Sequence, residues 1–135
     1  MTNEAVLKIE THIPINFTCS TLVTIEKGAI VKMTSPMTAV LSNGANDVVA
    51  GIVQSEKLAL DTTQDSVAVF RGGFFRVTCS GTCNVGKGVV TSTGSVNKVE
   101  EAVANQENIL GIMQETGTDG QSKLMELRPT TMDLN

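Results

Sequence analysis

Thr18-Cys19-Ser20, Lys27-Gly28 and Gly51-Ile52-Val53-Gln54 return as Thr78-Cys79-Ser80, Lys87-Gly88 and Gly111-Ile112-Met113-Gln114. Each pair is offset by 60 residues, so the alignment needs no gap. From Thr18 to Gln54, nine of 37 positions match their partners, Ser35 and Ser95 among them. Composition alone gives roughly two or three matches. After a three-residue contraction, Val67-Ala68-Val69-Phe70-Arg71 aligns with Leu124-Met125-Glu126-Leu127-Arg128. Two copies of one unit, residues 17–72 and 77–128, account for most of the 135 residues. They are expected to share one β domain, 17–129, with an N-terminal arm before it, 1–16, and a tail after it, 130–135. A solenoid needs three or more repeats, so two copies favour a closed barrel.

Within the unit, turn signals punctuate short β-branched runs. Thr21 to Ile25, Ala29 to Met33, Thr38 to Leu41, Val48 to Gln54 and Val67 to Phe70 read as strands. Glu26-Lys27-Gly28, Thr34-Ser35-Pro36 and Ser42-Asn43-Gly44 read as the turns between them. Gly51 interrupts a strand and recurs as Gly111, which marks a bulge or a close backbone approach. The second unit repeats the pattern with strands at Arg76 to Cys79, Val89 to Thr91, Ser95 to Val99, Ile109 to Gln114 and Lys123 to Leu127, and Pro129 closes it. Val96, Val99 and Val103 leave room for one helical turn. The fold expected is all-β: a compact barrel in which the two repeats intertwine about a pseudo-twofold axis.

The arm alternates. Ala5, Leu7, Ile9, Ile13, Ile15 and Phe17 share one face, while Glu4, Lys8, Glu10, His12 and Asn16 share the other. Both an extended arm and an ordinary first strand of the barrel fit this pattern. Pro14, with no N–H, marks an edge or break.

Composition excludes several classes. The net charge of −4 is spread evenly, with five basic and seven acidic side chains in each of residues 1–72 and 73–135. No basic stripe is present to neutralise phosphates, which argues against free nucleic acid. No apolar run approaches the ~18 residues of a membrane span, and Met1-Thr2-Asn3-Glu4 does not begin a signal peptide. An odd set of three cysteines in such a chain reads as reduced thiols.

Chemistry-bearing patterns are sparse, and no catalytic residue, cofactor or metal is expected. His12, the only histidine, lies in the arm, far from the cysteines. Cys79-x3-Cys83 has zinc-knuckle spacing but too few further ligands, and Cys19 and Cys79 read as twin small core residues. Cys83 aligns with Val23, and a Cys79–Cys83 disulfide has nothing in the sequence to support it. Glu100 and Glu101 are sequence neighbours, so a strand sends them to opposite faces. Gly72-Gly73 and Gly86-x-Gly88 lack the GK[ST] of a phosphate loop. Lys32-Met33 matches the modified lysine of biotinyl domains over only two residues.

Lys27-Gly28-x-x-Val31, Val49-Ala50-Gly51-Ile52-Val53 and Val67-Ala68-Val69-Phe70-Arg71-Gly72-Gly73-Phe74-Phe75-Arg76 together resemble tailed-phage head decoration (capsid cement) proteins. The resemblance spans about residues 20–128 and is one of pattern. It implies a β-clip or β-tulip architecture of the lambda type, a homotrimer, and a place on the virion exterior after synthesis in the host cytoplasm. Such a protein bridges subunits of the major capsid protein against the pressure of the packaged genome, without covalent chemistry. It would need neither nucleic acid nor membrane as a partner. On this reading Glu4, Ala5, Val6, Leu7, Lys8, Ile9, Glu10, His12 and Ile13 form the capsid-contacting arm, ordering on binding by strand addition. Phe74 and Phe75 point to opposite faces of a strand and supply the trimer interface. Two other classes compete. A dUTPase-like β-clip enzyme would need an Asp-centred water-activating motif and an aromatic to stack the base, and the chain has no Tyr. A biotinyl or carrier-like module would rest on Lys32.

Overall fold

The computed structural model describes residues 1–45, 47–92, 96–103 and 108–131; Ser95 and residues 132–135 of the tail lie outside them. Eleven strands are present: β1 (Val6–Ile9), β2 (Ile15–Thr18), β3 (Ile30–Ser35), β4 (Thr38–Leu41), β5 (Val49–Val53), β6 (Ser66–Phe70), β7 (Gly73–Cys79), β8 (Gly88–Thr91), β9 (Lys98–Glu101), β10 (Asn108–Met113) and β11 (Ser122–Thr131). No helix occurs among the described residues, so Val96 and Val103 flank β9 in turn and coil.

The chain is all-β and built of two barrel repeats. Strands β2-β4-β3-β5-β6 close one barrel. Strands β7-β9-β8-β10-β11 close a second in the same order, with the parallel β2–β4 pairing reproduced by β7–β9. The expected intertwining does not occur: each repeat closes on itself. Short turns let every strand find its partners within its own unit, so no exchange is needed. β1 stands outside both rings as an added antiparallel strand on β7. Residues 1–16 are thus shared between the two barrels, β1 going to the second and the start of β2 to the first.

Hydrogen bonding corrects the alignment of the repeats. Gly28 N donates to Val53 O at 2.9 Å, and Gly86 N donates to Met113 O at 2.8 Å; both glycines have φ of +80°. The structural partner of Gly28 is therefore Gly86, not Gly88. Val31 faces Gly51 and Leu41, while Val89 faces Gly111 and Glu101. The offset is thus 58 residues at β3/β8 (89 − 31) but 60 at β5/β10 (111 − 51). The second barrel has lost two residues before Gly86 and regained them in the β8–β9 hairpin. Two compensating changes had mimicked an ungapped repeat. Likewise Gln54 N donates to Ala68 O and Gln114 N to Leu124 O, so the later contraction is four residues (60 against 124 − 68 = 56), not three. Ile25 bridges Lys57 as Cys83 bridges Gly117, which makes Ile25 the counterpart of Cys83.

Two other expectations fail. Thr21 to Ile25 is a turn, and only Ile25 is bridged. The carbonyls of Thr21 and Val23 are taken by the Lys57 ammonium, at 2.6 and 2.9 Å, rather than by a neighbouring strand. Pro129 does not end the second unit but lies within β11. The β10–β11 register shifts between Ile109, opposite Thr130, and Gly111, opposite Leu127, so the proline falls at an irregularity where a missing N–H is tolerated.

Two cores result. One fills the first barrel with Phe17, Cys19, Ile25, Ala29, Val31, Ala39, Ala50, Val53, Val67 and Val69. The other fills the second barrel and continues onto the outer face of the first through Ile30, Val49, Ile52 and Phe70. Strand β5 is buried at all five positions because it separates the two cores. Val49 and Ile52 face one core while Ala50 and Val53 face the other. That pattern breaks strict alternation, and a register shift in the β3–β5 ladder at Val31–Lys32 accommodates it. Gly51 sits at the shift, with a Cβ there colliding with Phe70 O and Val69 Cγ1. Both readings of the recurring glycine, bulge and close approach, hold at this point.

Two side chains of the second barrel reach the first through polar contacts, Thr91 Oγ1 donating to Gly44 O and Asn97 making several bonds. Asn97, at φ +57°, accepts from Ile30 N at 2.7 Å and donates to Gly28 O at 2.8 Å and Asn3 O at 2.9 Å. Asn tolerates the left-handed conformation that the β8–β9 turn imposes. Met37 holds the equivalent turn in the first barrel at φ +51°.

Candidate partner-binding surfaces

The segment from Glu4 to Ile13 divides by depth. Ala5 is buried in the second core and donates its N–H to Gly28 O at 3.1 Å, and Leu7 packs half-buried against the same core. Glu4 is half-buried, whereas Lys8, Glu10 and His12 are exposed. Val6, Ile9 and Ile13 are also exposed, Ile13 by 84 %. β1 pairs only with β7, so its other edge offers unpaired backbone groups. An open groove of about 630 Å³ lies between Glu4–Leu7 and Val53–Ser55, with Glu10 and Lys27 in its wall. Ser55 is in its wall, with neither Cys nor His among the lining residues.

His12 follows β1 in the connecting loop, its Nδ1 2.8 Å from Thr11 Oγ1. Its ring lies where a Cβ on Gly72 would fall. The glycine pair between the barrels thus makes room for the imidazole and, at Gly73 with φ +125°, for the carbonyl of Ile9. Phe75 is 1 % exposed and meets Phe70 edge to face, ring centroids 5.6 Å apart, at the seam between the two barrels. Phe74, next in the strand, is half-buried.

No group of three or more His, Cys, Asp or Glu among the described residues could hold a metal. The three cysteines are free and buried. Burial pushes the Cys83 thiol up to about 12, with the neighbouring Cys79 thiol and the Glu101 charge acting in the same direction. Burial likewise raises Cys79 and Cys19 above the ordinary value of 9.0. The folded chain therefore keeps these protons while the unfolded chain releases them near the ordinary thiol value. Their contribution to stability is complete below pH 9.0 and is lost as pH rises toward about 12. Urea midpoints should fall between about pH 8 and pH 10.5, with Cys83→Ala flattening the slope; equal slopes in variant and parent would refute this assignment.

Glu101 accepts from Asn84 N and Nδ2, both at 3.0 Å, and those bonds lower its pKa. It anchors a loop. Lys32 lies inside β3, bonded to Asn43 Oδ1 at 2.8 Å, away from any turn tip.

Two features escaped the sequence reading. Lys57 is fully buried, its ammonium capped by the Thr21 and Val23 carbonyls. Close by in the same two loops, Leu22, Val23, Leu58 and Leu60 are exposed. Assigning Thr21 to Ile25 to a strand concealed both. The available signal was the contrast between Lys57-Leu58-Ala59-Leu60 and its counterpart Gly117-Thr118-Asp119-Gly120.

No family model matches the chain, and no curated protein matches it. A solved structure does, "The crystal structure of head fiber gp8.5 N base in bacteriophage phi29". The TM-score is 0.55 over 89 % of this chain and 97 % of that chain, at 9 % identity. The fold is that of a phage head fibre base. At such low identity the likeness is one of fold, and it takes in nearly the whole of both chains.

Proposed function

We propose that this chain is a structural protein of a phage virion, mounted on the outside of the head, where it bridges subunits of the major capsid protein. The observation that carries this reading is the likeness in fold to a head fibre base over nearly the whole of both chains. The burial of all three thiols fits the same reading. The protein acts by adhesion, as a homotrimer, with no cofactor, membrane or direct nucleic-acid contact.

The arm supplies one contact. The free edge of β1 accepts a coat strand by backbone pairing, and the exposed Val6, Ile9 and Ile13 give that pairing its side-chain register. Phe74 is the half-exposed ring available to a neighbouring copy, Phe75 being held within the protomer.

Quantitative mass spectrometry of gradient-purified particles tests the reading. The chain should be present in a fixed ratio to the coat protein, and particles made without it should release their genome at a lower temperature. Its absence from purified particles overturns the proposal.

A further inference from the structure

The two barrels share one backbone plan but differ at one end. In the first barrel the loop after β2 and the loop after β5 carry Leu22, Val23, Leu58 and Leu60, exposed by 74, 42, 48 and 93 %. Their hydrogen bonds fix the equivalence with the second barrel: Asp61 N donates to Leu58 O as Gln121 N donates to Thr118 O. Leu58, Ala59 and Leu60 thus correspond to Thr118, Asp119 and Gly120, and the shortened loop between Cys79 and Cys83 is Ser80-Gly81-Thr82. One tip is apolar and the other is polar.

The apolar tip is also built to hold its shape. Lys57 Nζ reaches from the second loop to two carbonyls of the first. Ala59 N donates to Thr24 Oγ1 at 2.8 Å, and Ile25 and Lys57 exchange backbone bonds of 2.8 Å. A fully buried ammonium is costly to desolvate, and the polar tip has Gly117 in its place. The first barrel bears that cost where the leucines stand. Fixing in advance the loop backbone that carries exposed aliphatic side chains lowers the entropy lost when they dock.

The charges around the tip select the partner. In the loop from Gln54 to Asp65, Glu56, Asp61 and Asp65 are exposed, while Lys57 is sequestered. Carboxylates beside the leucines repel an anionic lipid surface and complement a basic protein rim. We infer that the tip formed by Leu22, Val23, Leu58 and Leu60 is a second capsid contact, inserting into an apolar pocket of the coat protein bordered by Lys or Arg. This rests on the capsid reading above and adds to it a site outside the arm.

Co-sedimentation of the full chain with purified heads lacking it is the test, using parent, Leu22→Ser/Leu60→Ser, and the polar-tip control Thr82→Ala/Thr118→Ala. The leucine variant should bind at least about tenfold more weakly with an unchanged melting temperature, since both side chains are exposed. The control should bind like the parent, and parental binding should weaken as salt rises. Equal head binding by parent and leucine variant overturns the tip contact while leaving the capsid reading intact. Failure of the parent itself to bind heads overturns both. Leucine-dependent binding to vesicles of phosphatidylglycerol and phosphatidylcholine, with no such dependence on heads, also overturns the coat assignment.

Discussion

Gly51→Ala is expected to destabilise the chain by about 4 kcal/mol, combining about 1–3 for backbone strain with about 1–3 for overpacking. The residue has φ of +150°, where side chains are rarely accommodated. Its new methyl would strike the Phe70 carbonyl and Val69, neither of which can move without disturbing the β5–β6 ladder. Because β5 separates the two cores, the displacement would reach both. Gly111→Ala should cost less. It meets the Glu126 carbonyl in the same way, but its other neighbour is the flexible Met125 side chain, and its φ is not in the left-handed range. Gly81→Ala is the control for conformation alone: φ is +72° with nothing within 4 Å, so about 1–2 kcal/mol is expected. Urea denaturation of the three variants checks the order, and a Gly51→Ala protein no less stable than Gly81→Ala would contradict the steric account.

Phe75→Ala should cost about 3–5 kcal/mol, as for other buried aromatic truncations, and lower the melting temperature by roughly 10–20 °C for a chain of this size. The ring is buried where the second core meets Phe70 of the first barrel, beside Leu7 of β1. Its removal opens a cavity at the seam and takes away the edge-to-face partner of Phe70. The loss should therefore appear as faster proteolysis at Arg71-Gly72, the joint between the barrels, as well as in thermal melting. Phe74→Ala, truncating a half-buried ring, is expected to cost about 1–2 kcal/mol. Calorimetry and limited trypsin digestion separate the two. Equal losses at positions 74 and 75 would mean that the seam does not depend on the buried ring.

The strands most legible in the sequence were those bounded by turn residues on both sides. Thr38 to Leu41 was read with its observed bounds, and Val67 to Phe70 within one residue, because turn residues flank β-branched runs there. The repeat was legible as well, since the two barrels place chemically similar residues at similar spacings. What failed did so for a common reason. Leu22 and Val23 look like strand residues, yet no strand lies beside them, and a lysine 34 residues beyond Val23 takes the carbonyl that a strand would have used. The equivalence of Gly28 with Gly86 was masked because two length changes cancelled, and only the hydrogen bonds to Val53 and Met113 separate it from the matching Lys-Gly pair.

The candidate surfaces divide in the same way. The alternation of the arm forecast an extended segment, and β1 is one; that Ala5 and Leu7 face the core while Val6 and Ile9 face outward depends on pairing with Phe74 to Arg76. The apolar tip was legible only as composition, because exposure is a property of the assembled loops.

Local order and short-range pairing were determined by the sequence alone: all-β structure, two copies of one unit, turns at the glycines, and small cysteines in the core. Periodicity and turn chemistry act over a few residues, so they can be read along the chain. The tertiary structure decided that each copy closes its own barrel, that β5 serves two cores, and that one barrel ends in exposed leucines on two loops joined by a buried lysine. Those outcomes depend on contacts between residues tens of positions apart, such as Asn97 with Ile30, and no local pattern records them.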